Sequence, residues 1–269
     1  MRDWINSFLS NDSTFGKTMT KIGIIIGANL IFVFVSLPVV TMGAAWAATL
    51  HVMFKVLRGT ETLNPFKMFW QGLKQNWKQA TIVWLIVLAL AALGWVDVRF
   101  LLHQGGTMVN FRYAIYAVGA VLLIGVIYVY PTMVAFSNKL TVLFKNAWYF
   151  ALRKPLKLIV IVFFHVFPML LTYMDAQMMP LYAFLWSFIG FGAIAMLTAK
   201  LLVKEFEPYL PLVDEEGNYY YDADGKPLMP GDEDKIVGDD GNYSTEEKDI
   251  LKEMLELDMG SGKTTKKKS

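Results

Sequence analysis

The stretch that decides the fold is residues 36–84, SLPVVTMGAAWAATLHVMFKVLRGTETLNPFKMFWQGLKQNWKQATIVW. An apolar arm is interrupted between Pro38 and Gly43, resumes, and meets its first charge at Lys55. A basic amphipathic segment follows, and a new apolar run begins at Ala80. This alternation of uncharged runs with short basic connections is typical of a chain that crosses a membrane several times.

The interruption falls within a long uncharged run, from residue 22 to residue 54. A straight helix of that length would be about 50 Å long, whereas the hydrocarbon core of a bilayer is about 30 Å thick. Pro38 removes a backbone donor and Gly43 adds flexibility, so the sequence predicts two short spans, at 22–37 and 43–57. A tight hairpin and a helix break buried below the membrane surface both fit this interruption. Its candidate functional residues are Asn29, Pro38, Thr41 and Gly43.

Four further uncharged runs predict spans near 80–96, 113–137, 158–174 and 178–199. The predicted fold is therefore all-α, a polytopic membrane protein with about six transmembrane helices in residues 22–203. Residues 1–21 would form an amino-terminal segment on the cytoplasmic side.

Charge is distributed unevenly along the chain. Residues 1–203 carry 16 Lys/Arg against 5 Asp/Glu, whereas residues 204–269 carry 9 against 18. The basic residues lie between apolar runs, which favours a membrane surface over nucleic acid as their partner. If the amino terminus is inside, the only Lys or Arg residues in the predicted outer segments are Arg99 and Arg112. The positive-inside rule therefore places both termini in the cytoplasm. A single kinked span over 22–57 would put two basic clusters on opposite sides, which this count disfavours.

Two basic connections predict cytoplasmic, interfacial amphipathic helices. Asn64 and Pro65 suit the cap and first position of a helix, after which aromatic and lysine side chains alternate at helical spacing. The predicted apolar face holds Phe66, Phe69, Trp70, Leu73 and Trp77. Residues 137–157 repeat the pattern, and both helices suit either the lipid headgroup region or a cytoplasmic partner. The candidate lipid or partner contacts are Lys67, Lys74, Asn76, Lys78, Lys145, Asn146, Arg153 and Lys154.

The carboxyl-terminal residues 204–269 are predicted to form an acidic cytoplasmic tail. Ser244 and Glu247 have the spacing of a capping box before Ile250, Leu251 and Met254. The pattern indicates a short amphipathic helix near 245–257.

No pattern in the sequence predicts a catalytic centre. The chain has no cysteine, and no nucleophile and base stand at catalytic spacing. His51 and His165 lie in apolar runs, where an ionisable residue is a functional candidate. They are single and far apart in sequence, which favours packing histidines over a metal site or proton relay. We therefore predict no catalytic, metal-binding or cofactor-binding residues.

Three segments resemble the YesL family, integral membrane proteins of unknown function from Gram-positive bacteria. They are LPVVTMGAAWAATLHVMFKVLRG at 37–59, FKMFWQGLKQNWKQATIVWLI at 66–86 and NKLTVLFKNAWYFAL at 138–152. The resemblance covers roughly 20–205, and the acidic tail departs from it. The matching positions are Pro38, Thr41, Gly43, Asn76, Lys78, Asn146 and Ala147.

The resemblance carries an expectation about function. The family has no established catalytic residues, and its members are often encoded beside carbohydrate ABC importers and glycan-degrading enzymes. This implies a non-enzymatic accessory or regulatory protein of the bacterial cell membrane, associated with carbohydrate uptake. The alternative is a small stand-alone transporter or channel whose path runs near the break between Pro38 and Gly43. The expected partners are the lipid bilayer and sugar importer subunits, with no nucleic acid, and the sequence leaves a homo-oligomer open.

Overall fold

The computed structural model describes residues 14–59, 64–136, 138–212, 220–222 and 226–232. The predicted helix near 245–257 and most of the amino-terminal segment lie outside these residues. Contacts divide the chain into two units, residues 1–206 and 207–269. In the second unit, backbone hydrogen bonds join Leu212, Tyr220 and Leu228, and Tyr221 pairs with Pro227.

The described part of the first unit is helical. Its helices are α1 (Thr14–Val35), α2 (Met42–Leu57), α3 (Pro65–Gln104), α4 (Arg112–Ala135), α5 (Leu140–Arg153), α6 (Pro155–Met174), α7 (Met179–Leu185) and α8 (Phe191–Phe206). A π-helical segment, Trp186–Gly190, joins α7 to α8. Three short 3-10 helices, Val39–Thr41, Gly106–Phe111 and Ala176–Met178, lie in the connections.

Among the residues that the structure describes, six helical stretches are long and apolar enough to cross a membrane, as predicted. They are Thr18–Val35, Val39–Leu57, Pro65–Gln104, Gly106–Ala135, Pro155–Met174 and Ala176–Tyr209. The all-α class of a multi-pass membrane protein is thereby confirmed. The first predicted amphipathic helix and the third predicted span form a single helix, α3, because nothing between residues 65 and 104 interrupts the backbone hydrogen bonds.

The core is organised around α2, which packs against α1, α3, α4 and α8. Every residue of α2 is buried except Met42, Trp46, Lys55 and Leu57, which are half-buried. Its first turns consist largely of glycine and alanine, and such small residues let neighbouring helices approach closely. By contrast, α6 buries only Ile161, and α3 has no buried residue after Val83.

The two ends of the helical unit differ in charge. One end holds the starts of α3 and α6, the ends of α2 and α8, and helix α5. We call it the basic end. Its basic residues, among those described, are Lys21, Lys55, Arg58, Lys67, Lys74, Lys78, Lys139, Lys145, Arg153, Lys154, Lys157, Lys200 and Lys204. The opposite end, with the connections α3–α4 and α6–α7, is called the far end, and Arg99 and Arg112 lie towards it.

Candidate functional site

The break between Pro38 and Gly43 is a closed turn between two packed helices. Helix α1 ends at Val35, and the hydroxyl of Thr41 lies within hydrogen-bond distance of the carbonyl oxygens of Val35 and Pro38. The backbone N–H of Thr41 also donates to Pro38 at 2.9 Å. From α3, the indole Nε1 of Trp84 donates to the carbonyl oxygen of Val39 at 2.7 Å. Residues 36–41, here named the break turn, are therefore held from both sides.

Gly43 lies just inside α2 and forms its closest contact with α3 and α4. A Cβ atom at this position would lie 2.5 Å from the Cβ of Trp84, 2.7 Å from the hydroxyl of Tyr130 and 2.8 Å from the carbonyl oxygen of Ala80. Such distances are shorter than any van der Waals contact, so only glycine fits without moving the helices. Gly43 thus acts through close packing of α2 against α3 and α4.

Asn29 joins α1 to the π-helical segment of the last span. Its side-chain amide donates to the carbonyl oxygens of Trp186 at 3.0 Å and Ser187 at 2.7 Å. Its carbonyl oxygen accepts from the backbone N–H of Gly192 at 2.8 Å. A π segment leaves backbone groups without their usual α-helical partners, and here a buried amide supplies them. The side chain of Asn29 therefore links the first and last spans by hydrogen bonds.

The two histidines of the apolar runs lie within the packed helices. The side chain of His51 fills the space beside Gly72, where an added Cβ would lie 2.6 Å from the Cβ of His51 and 2.8 Å from its ring. The ring of His165 stands edge-on to Trp46 at 5.9 Å, and its Nδ1 lies 2.8 Å from the carbonyl oxygen of Ile161. Within the described residues no three His, Cys, Asp or Glu side chains come close enough to hold a metal ion.

The start of α3 presents an aromatic and basic surface at the basic end. The side chain of Asn64 caps the helix by accepting from the backbone N–H groups of Phe66 and Lys67, which confirms the predicted start. Three aromatic side chains are exposed along one stripe, Phe66 (64%), Trp70 (47%) and Trp77 (52%). The exposed lysines beside this stripe are Lys67, Lys74 and Lys78. We name these six residues the α3 surface.

Two residues predicted for this surface lie in the core instead. Phe69 is fully buried, and Asn76 is 8% exposed, with its amide donating to the carbonyl oxygen of Gly72. Both lie on the helix face that also holds Met68 and Ala80 and packs against α2. The prediction placed Phe69 with the aromatic stripe, but the buried face is rotated from that stripe by about a quarter of a turn. Asn76 is accordingly removed from the candidate contact residues.

Helix α5 is amphipathic at the predicted spacing. It buries Leu143, Ala147, Phe150 and Ala151. Lys145 and Arg153 are exposed, and Asn146 is half-buried. The guanidinium of Arg153 lies over the ring of Tyr149 at 5.8 Å, a geometry that suits a cation–π contact. The exposed side of α5 therefore adds further cations to the basic end.

Glu205 is paired with two lysines at the basic end. Its Oε1 accepts from Lys154 at 2.7 Å and from Lys157 at 2.6 Å, and Lys157 also donates to the carbonyl oxygen of Leu201. The Glu205 side chain is 10% exposed, whereas that of Lys154 is 52% exposed. Among the described residues up to Phe206, Glu205 is the only carboxylate at this end. Glu205 falls within the predicted acidic tail, because no local pattern in the sequence relates it to lysines about fifty positions earlier.

We expect Glu205→Gln to lower the stability of the folded protein by about 1 to 2 kcal/mol, between the values for surface and buried ion pairs. The change leaves the shape nearly intact but removes the charge that both lysines contact. Thermal unfolding in detergent should show the loss, and added salt should narrow the gap from the wild type. Glu207→Gln is the matched control, because Glu207 is exposed and forms no ion pair within the described residues. Equal effects of the two substitutions would contradict this role.

Comparison with known proteins adds a family match. A family model described as "Protein of unknown function, DUF624" matches residues 25–98. The match covers Asn29, the break turn, all of α2 and most of α3. No curated protein and no solved structure matches the chain. Over residues 25–98, the chain is therefore similar to this family, whose description assigns no function.

Proposed function

We propose that this protein is a YesL-like, non-enzymatic accessory or regulatory component of the bacterial cell membrane, associated with carbohydrate uptake through an ABC-type importer. The family match over residues 25–98 supports the YesL-like assignment. The basic end would lie in the cytoplasm, because basic connections favour that side. Its exposed residues would contact importer subunits.

The observation that carries this proposal is the α3 surface. One face of the start of α3 is fixed in the core, so the exposed stripe is presented by a rigid helix. Aromatic side chains are enriched at protein interfaces, and clustered exposed apolar rings mark interaction sites. The lysines beside them would attract a partner of negative charge. The α3 surface therefore fits a partner that offers an apolar groove and carboxylates.

The packing around the break turn disfavours the alternative of a stand-alone transporter or channel. The side chains of Trp84 and Tyr130 pack directly against Gly43. The hydroxyl of Thr41 donates to the carbonyl oxygen of Pro38 within the turn. Two surface grooves lie elsewhere: one is between α4 and α6, and the other is between α6 and the last span. Both are lined almost entirely by apolar side chains, which suit lipid better than a sugar.

The proposal is tested by co-purification of importer subunits with a tagged form of the protein. We expect Lys74→Glu together with Lys78→Glu to reduce recovery about tenfold, equivalent to about 1.4 kcal/mol, because the new charges repel an acidic partner. Lys200→Glu together with Lys204→Glu is the matched control. It reverses the same number of exposed charges at the basic end, but on α8.

Two results would contradict the proposal. One is an equal loss of recovery with both double substitutions, which would indicate a general effect of charge. The other is solute movement by the purified protein alone in liposomes, abolished by substitution of Thr41 or Asn29. That second result would favour the transporter.

A further inference from the structure

The break turn packs beside the middle of α3. Trp84 bonds to Val39 in the turn, and Gly43 contacts the carbonyl oxygen of Ala80. Helix α3 then continues to Gln104, about 20 residues beyond Trp84 and about 30 Å of further helix. The hairpin of α1 and α2 therefore ends well short of the far end of α3.

Helix α4 gives the same comparison from another side. Its Tyr130 reaches both Gly43 and the carbonyl oxygen of Ala80, and so stands beside the base of the turn. The helix begins at Arg112, about 18 residues earlier, which corresponds to about 27 Å of helix. Helices α3 and α4 thus both extend beyond the turn by nearly the thickness of a bilayer core, about 30 Å.

Helix α6 also passes the turn, by a shorter distance. The ring of His165 contacts that of Trp46 in α2. Trp46 is five residues after Thr41, so it lies about 8 Å from the turn towards the basic end. From His165 the helix continues for about 15 Å to Asp175, so the α6–α7 connection lies about 7 Å beyond the turn. Three helices therefore place the turn below both connections of the far end.

The exposed side chains of the turn are apolar. Leu37 is 73% exposed, Val39 is 59% exposed and Val40 is 51% exposed. The turn contains no charged residue, and Pro38 has no N–H group. The carbonyl oxygens of Pro38 and Val39 accept from Thr41 and Trp84, so these two groups need no water as a partner. Charges lie farther along the neighbouring helices, at Asp97, Arg99, Arg112 and Asp175.

We infer that the break turn ends within the hydrocarbon core, where Leu37, Val39 and Val40 contact lipid acyl chains. The hairpin of α1 and α2 would then enter and leave the membrane at the basic end without reaching the water at the far end. A hairpin that crosses fully and one that ends within the core leave the same charges on the same side. The charge count of the sequence therefore does not distinguish them, whereas the level of the turn against α3, α4 and α6 does.

Single cysteines test the inference cleanly, because the chain has no cysteine of its own. We place Leu37→Cys, Val40→Cys and, as the far-end control, Gln177→Cys in lipid nanodiscs, where water reaches both faces. Gln177 is exposed in the α6–α7 connection. A charged maleimide should label the two turn cysteines at least about tenfold more slowly than Gln177→Cys, because neither the reagent nor the thiolate enters lipid readily. After denaturation in SDS all three should label fully.

A second measurement identifies what covers the turn. Bimane attached through an uncharged linker to Leu37→Cys should be quenched more strongly by lipids carrying a nitroxide on the acyl chain than by lipids carrying it on the headgroup. Labelling of the turn cysteines at the rate of Gln177→Cys would overturn the inference, because the turn would then be in water. Slow labelling without acyl-chain quenching would also overturn it, since protein, such as a second copy of this chain, would then cover the turn.

Discussion

Replacing Gly43 with alanine should lower the stability of the folded protein by about 2 to 3 kcal/mol, in the range for overpacked cores. The added methyl group would meet Trp84, Tyr130 and the backbone oxygen of Ala80 at less than 3 Å. At least one of these contacts is with helix backbone, so rotating a side chain does not relieve all of them. Helices α3 and α4 would have to move away from α2, which is the centre of the core.

Gly23→Ala is the matched control for this experiment. Gly23 lies within α1, and a Cβ atom there would meet nothing within 4 Å. Alanine favours a helix over glycine by about 0.5 to 1 kcal/mol, so this variant should be neutral or slightly more stable. Measured by thermal unfolding in detergent, the midpoint temperature of Gly43→Ala should be about 5 to 10 °C below that of the wild type. The midpoint of Gly23→Ala should be nearly that of the wild type. Similar midpoints for the two variants would show that the contact at Gly43 is not tight.

Replacing Asn29 with alanine should cost about 2 to 4 kcal/mol, because two backbone carbonyl groups and one backbone N–H group lose their partner together. Individual hydrogen bonds between membrane helices average about 0.6 kcal/mol, since the released groups find substitutes. The π segment offers few substitutes, because its carbonyl groups at Trp186 and Ser187 lie against α1. We expect the largest loosening where α1 meets the last span.

The measurement combines thermal unfolding with hydrogen exchange of residues 186–192. Asn29→Leu separates the hydrogen bonds from the cavity, because leucine fills the space but cannot bond. Asn110→Ala is the matched control, since Asn110 is exposed in the 3-10 helix Gly106–Phe111. If Asn29→Ala unfolds at the temperature of Asn110→Ala, or if exchange at 186–192 is unchanged, the proposed bond between the spans is wrong.

Local rules were sufficient for much of this molecule. Proline and asparagine at the start of α3 predicted its cap, since capping depends on residues two or three positions apart. The spacing of Leu143, Ala147 and Phe150 likewise predicted the buried face of α5. Asn29 stood out because an amide in an apolar run requires a partner, although nothing nearby indicated which groups supply it.

Predictions that depended on which face of α3 meets the core were less accurate. Phe69 and Trp70 are neighbours with similar chemistry, yet Phe69 is buried and Trp70 is exposed. The apolar stripe of this segment is wider than the surface that α2 covers, so spacing alone did not divide it. Asn76 was placed on the surface for a similar reason, because it stands between Lys74 and Lys78 in sequence.

The sequence by itself determined which six helical stretches are long and apolar enough to cross a membrane, the basic end and the amphipathic start of α3. Each of these depends on length, charge or spacing within one segment. Only the tertiary structure decided that Gly43 is a packing contact, that Asn29 bonds to the last span and that Glu205 holds two lysines. The tertiary structure also decided how far along α3 the break turn lies. The physical reason is that these contacts join residues roughly 40 to 160 positions apart, and such pairs meet only once the helices have packed.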